Sequence, residues 1–250
     1  MTDTIYAGNL RVFPTPRPRM RRTTLLQPVY LLADSQPLFR RDPGDGFLDG
    51  LRARLPRERP RAAYVGASNG DHPDLYGVFA AAMEGLGIGR CRMVPARPSP
   101  EDLAFLDTAD LVLLAGGDVE RGWRAFEAGG LRQAVARRHR EGAVLVGVSA
   151  GAVQLGLLGW PERDPRPERS FPTFGLVPFA VDAHAEAEEW STLRSLVGLR
   201  AGALRGIGIP RGGAVVCHPD GSVEAVRHPA VEVVARGEAV ACNLLFPGGG

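Results

Sequence analysis

Lysine is absent; all thirty basic residues of the 250-residue chain are arginine. Set against 28 acidic residues, they leave a net charge of only +2. No global field therefore favours nucleic acid or a membrane surface, and the missing lysine reads as a coding bias toward arginine. Cysteine is scarce too. Cys91, Cys217 and Cys242 are odd in number and widely separated, with no metal-ligand spacing, so three reduced, buried thiols and no metal or cofactor are expected. Long hydrophobic runs are also missing. Pro and Arg interrupt the whole stretch Pro14 to Arg22, which excludes a secretory signal, and no later run is long enough to span a bilayer. A soluble, cytoplasmic protein is the expectation.

What is present is 44% hydrophobic residues, 32 Gly and 21 Pro, a mixture suited to short strands alternating with helices. Residues 1–26 stand apart as a Pro/Arg-rich arm. Proline removes donors and restricts its neighbours, so the arm reads as an extended segment crossing the surface or reaching a partner subunit. A nucleic-acid role for it is disfavoured because no basic patch follows. Residues 27–250 read as one α/β domain.

Within that domain, apolar runs at Gln27–Asp34, Arg61–Ser68, Cys91–Pro95, Leu111–Ala115 and Ala143–Ser149 are strand-like. Helical spacing marks Phe47–Leu55, Asp74–Leu86 and Leu131–Arg140, and Ser99-Pro100-Glu101-Asp102 is a helix start with Ser as cap. Continuous apolar strands alternating with helices predict a mostly parallel sheet sandwiched between helices. Past Arg205, short strands around Val215–Cys217, Val223–Val226, Val231–Val234 and Ala239–Leu245 predict an antiparallel edge closing that sheet.

The chemistry concentrates in Gly147-Val148-Ser149-Ala150-Gly151, a G-x-S-x-G segment between a buried strand and a helix-compatible run, Ala150 to Leu158. A nucleophile on a sharp strand-to-helix turn needs small neighbours, and its hydroxyl then projects above a helix N-terminus that favours negative charge. Gly116-Gly117-Asp118 ends the preceding strand, so the N–H groups of Gly117 and Ala150 are candidate oxyanion donors. A simple turn that needs positive φ explains that Gly pair equally well.

A serine hydroxyl needs a base. His139 sits in an Arg-rich helix end that reads as surface, and His72, His218 and His228 lie beside Pro or in turns. His184 instead follows the apolar run Phe179–Ala183 and precedes the acidic stretch Glu186 to Glu189, read as helical, which places it at a strand end.

Gly116-Gly117-Asp118, Gly147–Ala152, Gly175-Leu-Val-Pro178 and Val181-Asp-Ala-His184 together resemble dipeptidase E and cyanophycinase, in order and with similar spacing, over about residues 27 to 245. The resemblance implies a class I glutamine-amidotransferase-like α/β fold and a metal-free serine peptidase acting on small peptides. It implies Ser149 as nucleophile, His184 as base, and Gly117 and Ala150 as oxyanion donors. It also points to Asp164, fifteen residues after Ser149, as the triad acid. Glu162, Glu168 and Asp182 compete with Asp164 for that role. Dimers occur in the family, so a homodimer is compatible with it.

Two departures stand out. After the His, the family's Phe and Arg positions read Ala185-Glu-Ala-Glu-Glu-Trp190, and its Gly-Ile-Asp-Glu reads Gly208-Ile209-Pro210-Arg211. Glu186 or Glu188 then favours a basic or amine-bearing substrate, unless the stretch is only a solvated acidic face. Asn69 and Asp71, with Asp118, are further candidates for substrate binding because they sit at the sheet's carboxyl edge. Two rival readings stay open: an α/β-hydrolase esterase, whose base lies farther along the chain, and a catalytically silent relative that binds a peptide or partner.

Overall fold

The computed structural model describes residues 26–39, 46–56, 58–163, 166–200, 202–237 and 239–248. The N-terminal arm, apart from Leu26, and the triad candidate Asp164 lie outside the described residues.

The first half of the chain alternates as its periodicity predicts. The elements are β1 (Val29–Leu32), α1 (Phe47–Ala53), β2 (Arg61–Val65), α2 (Pro73–Gly85), β3 (Arg90–Val94), α3 (Pro100–Leu106), β4 (Leu111–Leu114), α4 (Val119–Ala128), α5 (Leu131–Arg140), β5 (Val144–Val148) and α6 (Ala150–Leu155). The predicted start of α3 is a full capping box. Ser99 Oγ accepts from the Asp102 N–H at 3.2 Å, and the Asp102 carboxylate accepts from the Ser99 N–H at 2.9 Å. The second half adds β6 (Leu158–Gly159), β7 (Phe171–Pro172), β8 (Ala180–Ala183), α7 (Ser191–Leu199), β9 (Arg205–Ile209), β10 (Ala214–Cys217), β11 (Val223–Val226), β12 (Ala230–Arg236) and β13 (Ala239–Leu245).

Seven strands form the central sheet in the order β11-β10-β1-β5-β4-β2-β3. The five from β1 to β3 run parallel, and β10 and β11 add an antiparallel edge. Side chains alternate between its faces. Val29, Leu31, Val112, Leu114 and Leu145 pack toward Trp123, Phe126, Leu131 and Val135 of α4 and α5. Tyr30, Leu32, Leu111, Leu113 and Val146 face Leu51 of α1 and Phe79 and Met83 of α2. Burial on both faces explains why these strands read as continuous apolar runs. The fold is thus mixed α/β with a largely parallel central sheet between helices, as expected. Among the described residues, no helix is long and apolar enough to cross a membrane.

Several details correct the sequence reading. The C-terminal strands do not all close the central sheet: β12 and β13 join β9 and β8 in a separate four-stranded sheet, order β13-β12-β9-β8. Local turns specify hairpins, but the sheet a hairpin joins is decided by what covers it. Here Leu193, Leu196 and Val197 of α7 pack with Val233 of β12. Helices α4 and α7 were not foreseen, and α6 stops at Leu155 instead of running to Leu158. Glu186–Glu189 is a turn rather than a helix, with positive φ at Glu189 (51°) and Trp190 (58°). Its three carboxylates repel one another, and buried Trp190 is pulled against the second sheet, where a Cβ on Gly208 would lie 2.6 Å from the indole. His139 is buried, not surface, because it shares the inner face of α5 with Leu131 and Val135 at four-residue spacing. Burial holds its imidazole below the usual pKa. Of the three thiols only Cys217 is buried; Cys91 is half-buried and Cys242 exposed on β13.

Candidate active site

The central strand β5 lies between β1 and β4, so its carboxyl end opens between two neighbouring strand ends. There the backbone turns through Ser149 at φ 49°, ψ −112° and enters α6. A non-glycine residue held in such a region stores about 1–3 kcal/mol, which the surroundings must offset. The Ser149 N–H donates to Leu32 O at 2.8 Å, and Ser149 O accepts from the amides of Ala152 and Val153. Both flanking glycines are sterically required. A Cβ on Gly147 would stand 2.6 Å from Gly151 O, and one on Gly151 would stand 2.1 Å from Leu114 O.

His184 arrives from the other sheet. It follows β8, at φ 50°, and its N–H donates to Ile209 O at 2.8 Å, which fixes it to the end of β9. Its Nε2 lies 2.8 Å from Ser149 Oγ. The hydroxyl and the imidazole are therefore within proton-transfer distance.

Gly117 approaches from β4 with φ 132°, and a Cβ there would lie 2.3 Å from Ser68 O. The adjoining Gly116 borders the serine itself, its notional Cβ being 3.4 Å from Ser149 Cβ. Among the described residues no acceptor takes the amide of Gly117 or of Ala150, the first residue of α6. A free N–H at a helix start is suited to a developing negative charge. A buried polar triangle steadies this corner, and it was missed in the sequence. Gln154 Nε2 donates to Ser68 Oγ (3.0 Å) and to Val119 O (2.9 Å), while Ser68 O accepts from the Asp118 N–H at 2.9 Å. A glutamine inside the apolar run of α6 was the signal that could have revealed it.

The model of peptidase family S51 matches residues 45–224. The chain belongs to peptidase family S51. It is accordingly a serine peptidase of the dipeptidase E family. Two crystal structures share the fold. One is a peptidase from an acI-B1 Actinobacterium, with TM-score 0.68 and 18% identity, over 90% of this chain and 96% of the other. The second is a putative peptidase E protein from Listeria monocytogenes EGD-e, with TM-score 0.59 and 12% identity, over 80% of this chain and 97% of the other. No curated protein matches the chain.

The pocket of this S51 peptidase around Ser149 is acidic on one side. Trp160, Glu162, Asp182, Glu188 and Arg211 line it together with Ser149 and His184. Burial is the main influence on Asp182, raising its carboxyl from an ordinary 3.8 to about 7; the Ala183 N–H donates to it at 2.9 Å, and the Glu188 charge pushes the same way as burial. Glu162 is also raised, chiefly by desolvation, with Asp118 adding to the rise and His184 and Arg121 opposing it. Of the competing acids, Glu168 is exposed and lines a different cleft, against α7. No described carboxylate is hydrogen-bonded to the free ring nitrogen of His184.

The substrate-binding candidates divide. Glu188 lines the Ser149 pocket. Glu186 is held by Arg211, whose N–H donates to it at 3.2 Å and whose Nε lies 3.8 Å away. The two departures from the family pattern thus meet each other as an ion pair. The Asp118 carboxylate caps α4 by accepting from the Arg121 N–H at 2.7 Å. Asn69 donates to the Tyr64 hydroxyl at 2.7 Å and accepts from the His72 N–H, while the Asp71 carboxylate accepts from the Ala96 N–H at 3.0 Å. Asn69 borders a neighbouring apolar cleft rather than the Ser149 pocket.

Proposed function

We propose that this serine peptidase cleaves amide bonds of small peptides through an acyl-enzyme formed on Ser149, with His184 as general base. The observation that carries the reading is the 2.8 Å separation of Ser149 Oγ and His184 Nε2 on a strained strand-to-helix turn. His184 takes the hydroxyl proton as Oγ attacks the carbonyl carbon. The oxyanion is received by the Gly117 and Ala150 amides, where one such donor contributes about 2.7–4 kcal/mol. The tetrahedral species collapses as His184 gives that proton to the leaving amine, and water then hydrolyses the ester by the reverse route.

Asp164 is the proposed orienting acid by its offset from Ser149, with Glu162 the alternative supported by its place in the pocket beside His184. Glu188, unlike Glu186, has no arginine partner among the described residues and is proposed to favour an amine-bearing group on the substrate.

Hydrolysis of a panel of dipeptides and isoaspartyl dipeptides by wild type and Ser149→Ala, with fluorophosphonate labelling, tests the mechanism. Turnover and labelling that both vanish in Ser149→Ala are expected. Undiminished turnover by the mutant would sink it, and a wild-type chain that neither labels nor cleaves would favour a peptide-binding role instead. Asp164→Asn and Glu162→Gln then separate the acids, because loss of the orienting carboxylate lowers kcat by about 10⁴.

A further inference from the structure

The Ser149 pocket does not end at His184. Ala185, Glu188, Ser191 and Thr192 continue its lining, and Ser191 also lines a second cleft, so the two meet along α7. The pocket holds about 420 Å³ and the second cleft about 660 Å³, both within the size range of ligand sites. The α7 side of the second cleft is Ser191, Arg194, Ser195, Gly198 and Leu199, which recur at helical spacing on the exposed face of the helix. The turn Pro167–Arg169 and Val240 of β13 supply the rest of its lining. Its single lining anion, Glu168, belongs to that turn rather than to α7. From Ser191 to Ser195 the helix rises about 6 Å, the reach of roughly two extended residues.

The position of the base decides which part of a substrate lies there. His184 must hand its proton to the leaving amine, so the leaving residue passes His184 and meets Glu188 and Ser191, which line the same pocket. A dipeptide's terminal carboxylate stops in that pocket. There it faces Glu162, Asp182 and Glu188, while the one arginine, Arg211, is engaged by Glu186. A carboxylate carried one or two residues further reaches Arg194 instead. Arg194 is the one cation lining the second cleft among the described residues; its ion-pair partner Glu189 stands 3.9 Å away and is largely exposed, which leaves the guanidinium open to a bidentate carboxylate. We propose that this cleft binds the leaving segment of a peptide longer than a dipeptide, about two or three residues past the scissile bond, with Arg194 receiving its C-terminal carboxylate. The proposal rests on the Ser149 reading, and its test is built so that the two fail separately.

Asp-Ala and Arg-Ala, each also extended by one and by two alanines, are titrated calorimetrically into Ser149→Ala protein as free acids and as C-terminal amides, and kcat/KM is measured for the same set on wild type. The extended free acids should bind and react at least tenfold better than their dipeptide, and amidation should remove most of that gain. Arg194→Gln should lower the tetrapeptide acid at least tenfold more than the tetrapeptide amide. Ser195→Trp, at an exposed helix position that accepts a large side chain, should lower the tetrapeptide at least tenfold more than the dipeptide. Fluorophosphonate labelling of Ser149 with no gain from added length overturns the cleft and leaves the nucleophile standing. Failure to label, with the length gain intact in calorimetry, removes the nucleophile and leaves the cleft. A gain with length that is indifferent to amidation and to Arg194→Gln overturns the carboxylate contact. A change in solution mass in Ser195→Trp, with length preference unmoved, would assign the cleft to contact between copies of the chain and overturn the proposal.

Discussion

Replacing Asp182 by asparagine should stabilise the protein, and by more at pH 8 than at pH 5. The carboxyl is buried at the end of β8, and burial raises its pKa from 3.8 to about 7. Below pH 3.8 both folded and unfolded chains hold the proton, so the group has no effect on stability. Between 3.8 and about 7 only the folded chain holds it, so stability falls as pH rises, and above about 7 the whole penalty is present. A shift of about three units corresponds to a ceiling of about 4 kcal/mol. Because the residue also borders the open Ser149 pocket, water relieves part of that cost, and about 2 kcal/mol at pH 8 is expected, of which about half is present at pH 5. Asparagine keeps an oxygen to accept from the Ala183 N–H and turns its amide toward the pocket and Glu188. For a chain of this length, about 2 kcal/mol raises Tm by roughly 4–8 °C. Thermal unfolding followed by circular dichroism at the two pH values checks this. A destabilised variant at pH 8, or an equal shift at both pH values, would refute the reasoning that the buried charge is the cost.

Gly151→Ala should destabilise by about 3 kcal/mol or prevent folding, because its Cβ would collide with Leu114 O; denaturant unfolding or soluble yield reads this. Gly117→Ala should reduce kcat by about 10²–10³, since Ser68 O forces the new Cβ and its amide away from the serine; kcat on the best dipeptide tests it. Gln154→Leu leaves Val119 O and Ser68 Oγ buried without their donor, at a cost of about 1–3 kcal/mol in urea unfolding. A double-mutant cycle on Glu186 and Arg211 should return a coupling below about 1 kcal/mol, because the pair is exposed.

The central sheet was legible in the sequence because its strands are buried on both faces and its helices carry a one-sided apolar period. The elbow was legible too: two glycines two residues either side of Ser149 are demanded by contacts within a few residues and with the adjacent strand. The α3 capping box is local in the same sense. What escaped depended on contacts far apart in the chain. Whether β12 and β13 extend the central sheet or build another was settled by α7 and by the pairing of β8 with β9, which no local pattern encodes. His139 looked like part of a basic surface because its neighbours are arginines, but the orientation of α5 buries it. The Glu186–Arg211 pair joins residues that read separately as two charge reversals. Sequence could place His184 at a strand end; only the second sheet, by fixing its amide to Ile209, brings the imidazole within 2.8 Å of the serine. The physical reason is range. Periodicity, capping and steric turns act over a few residues, while the meeting of two sheets is decided by which apolar faces each can bury.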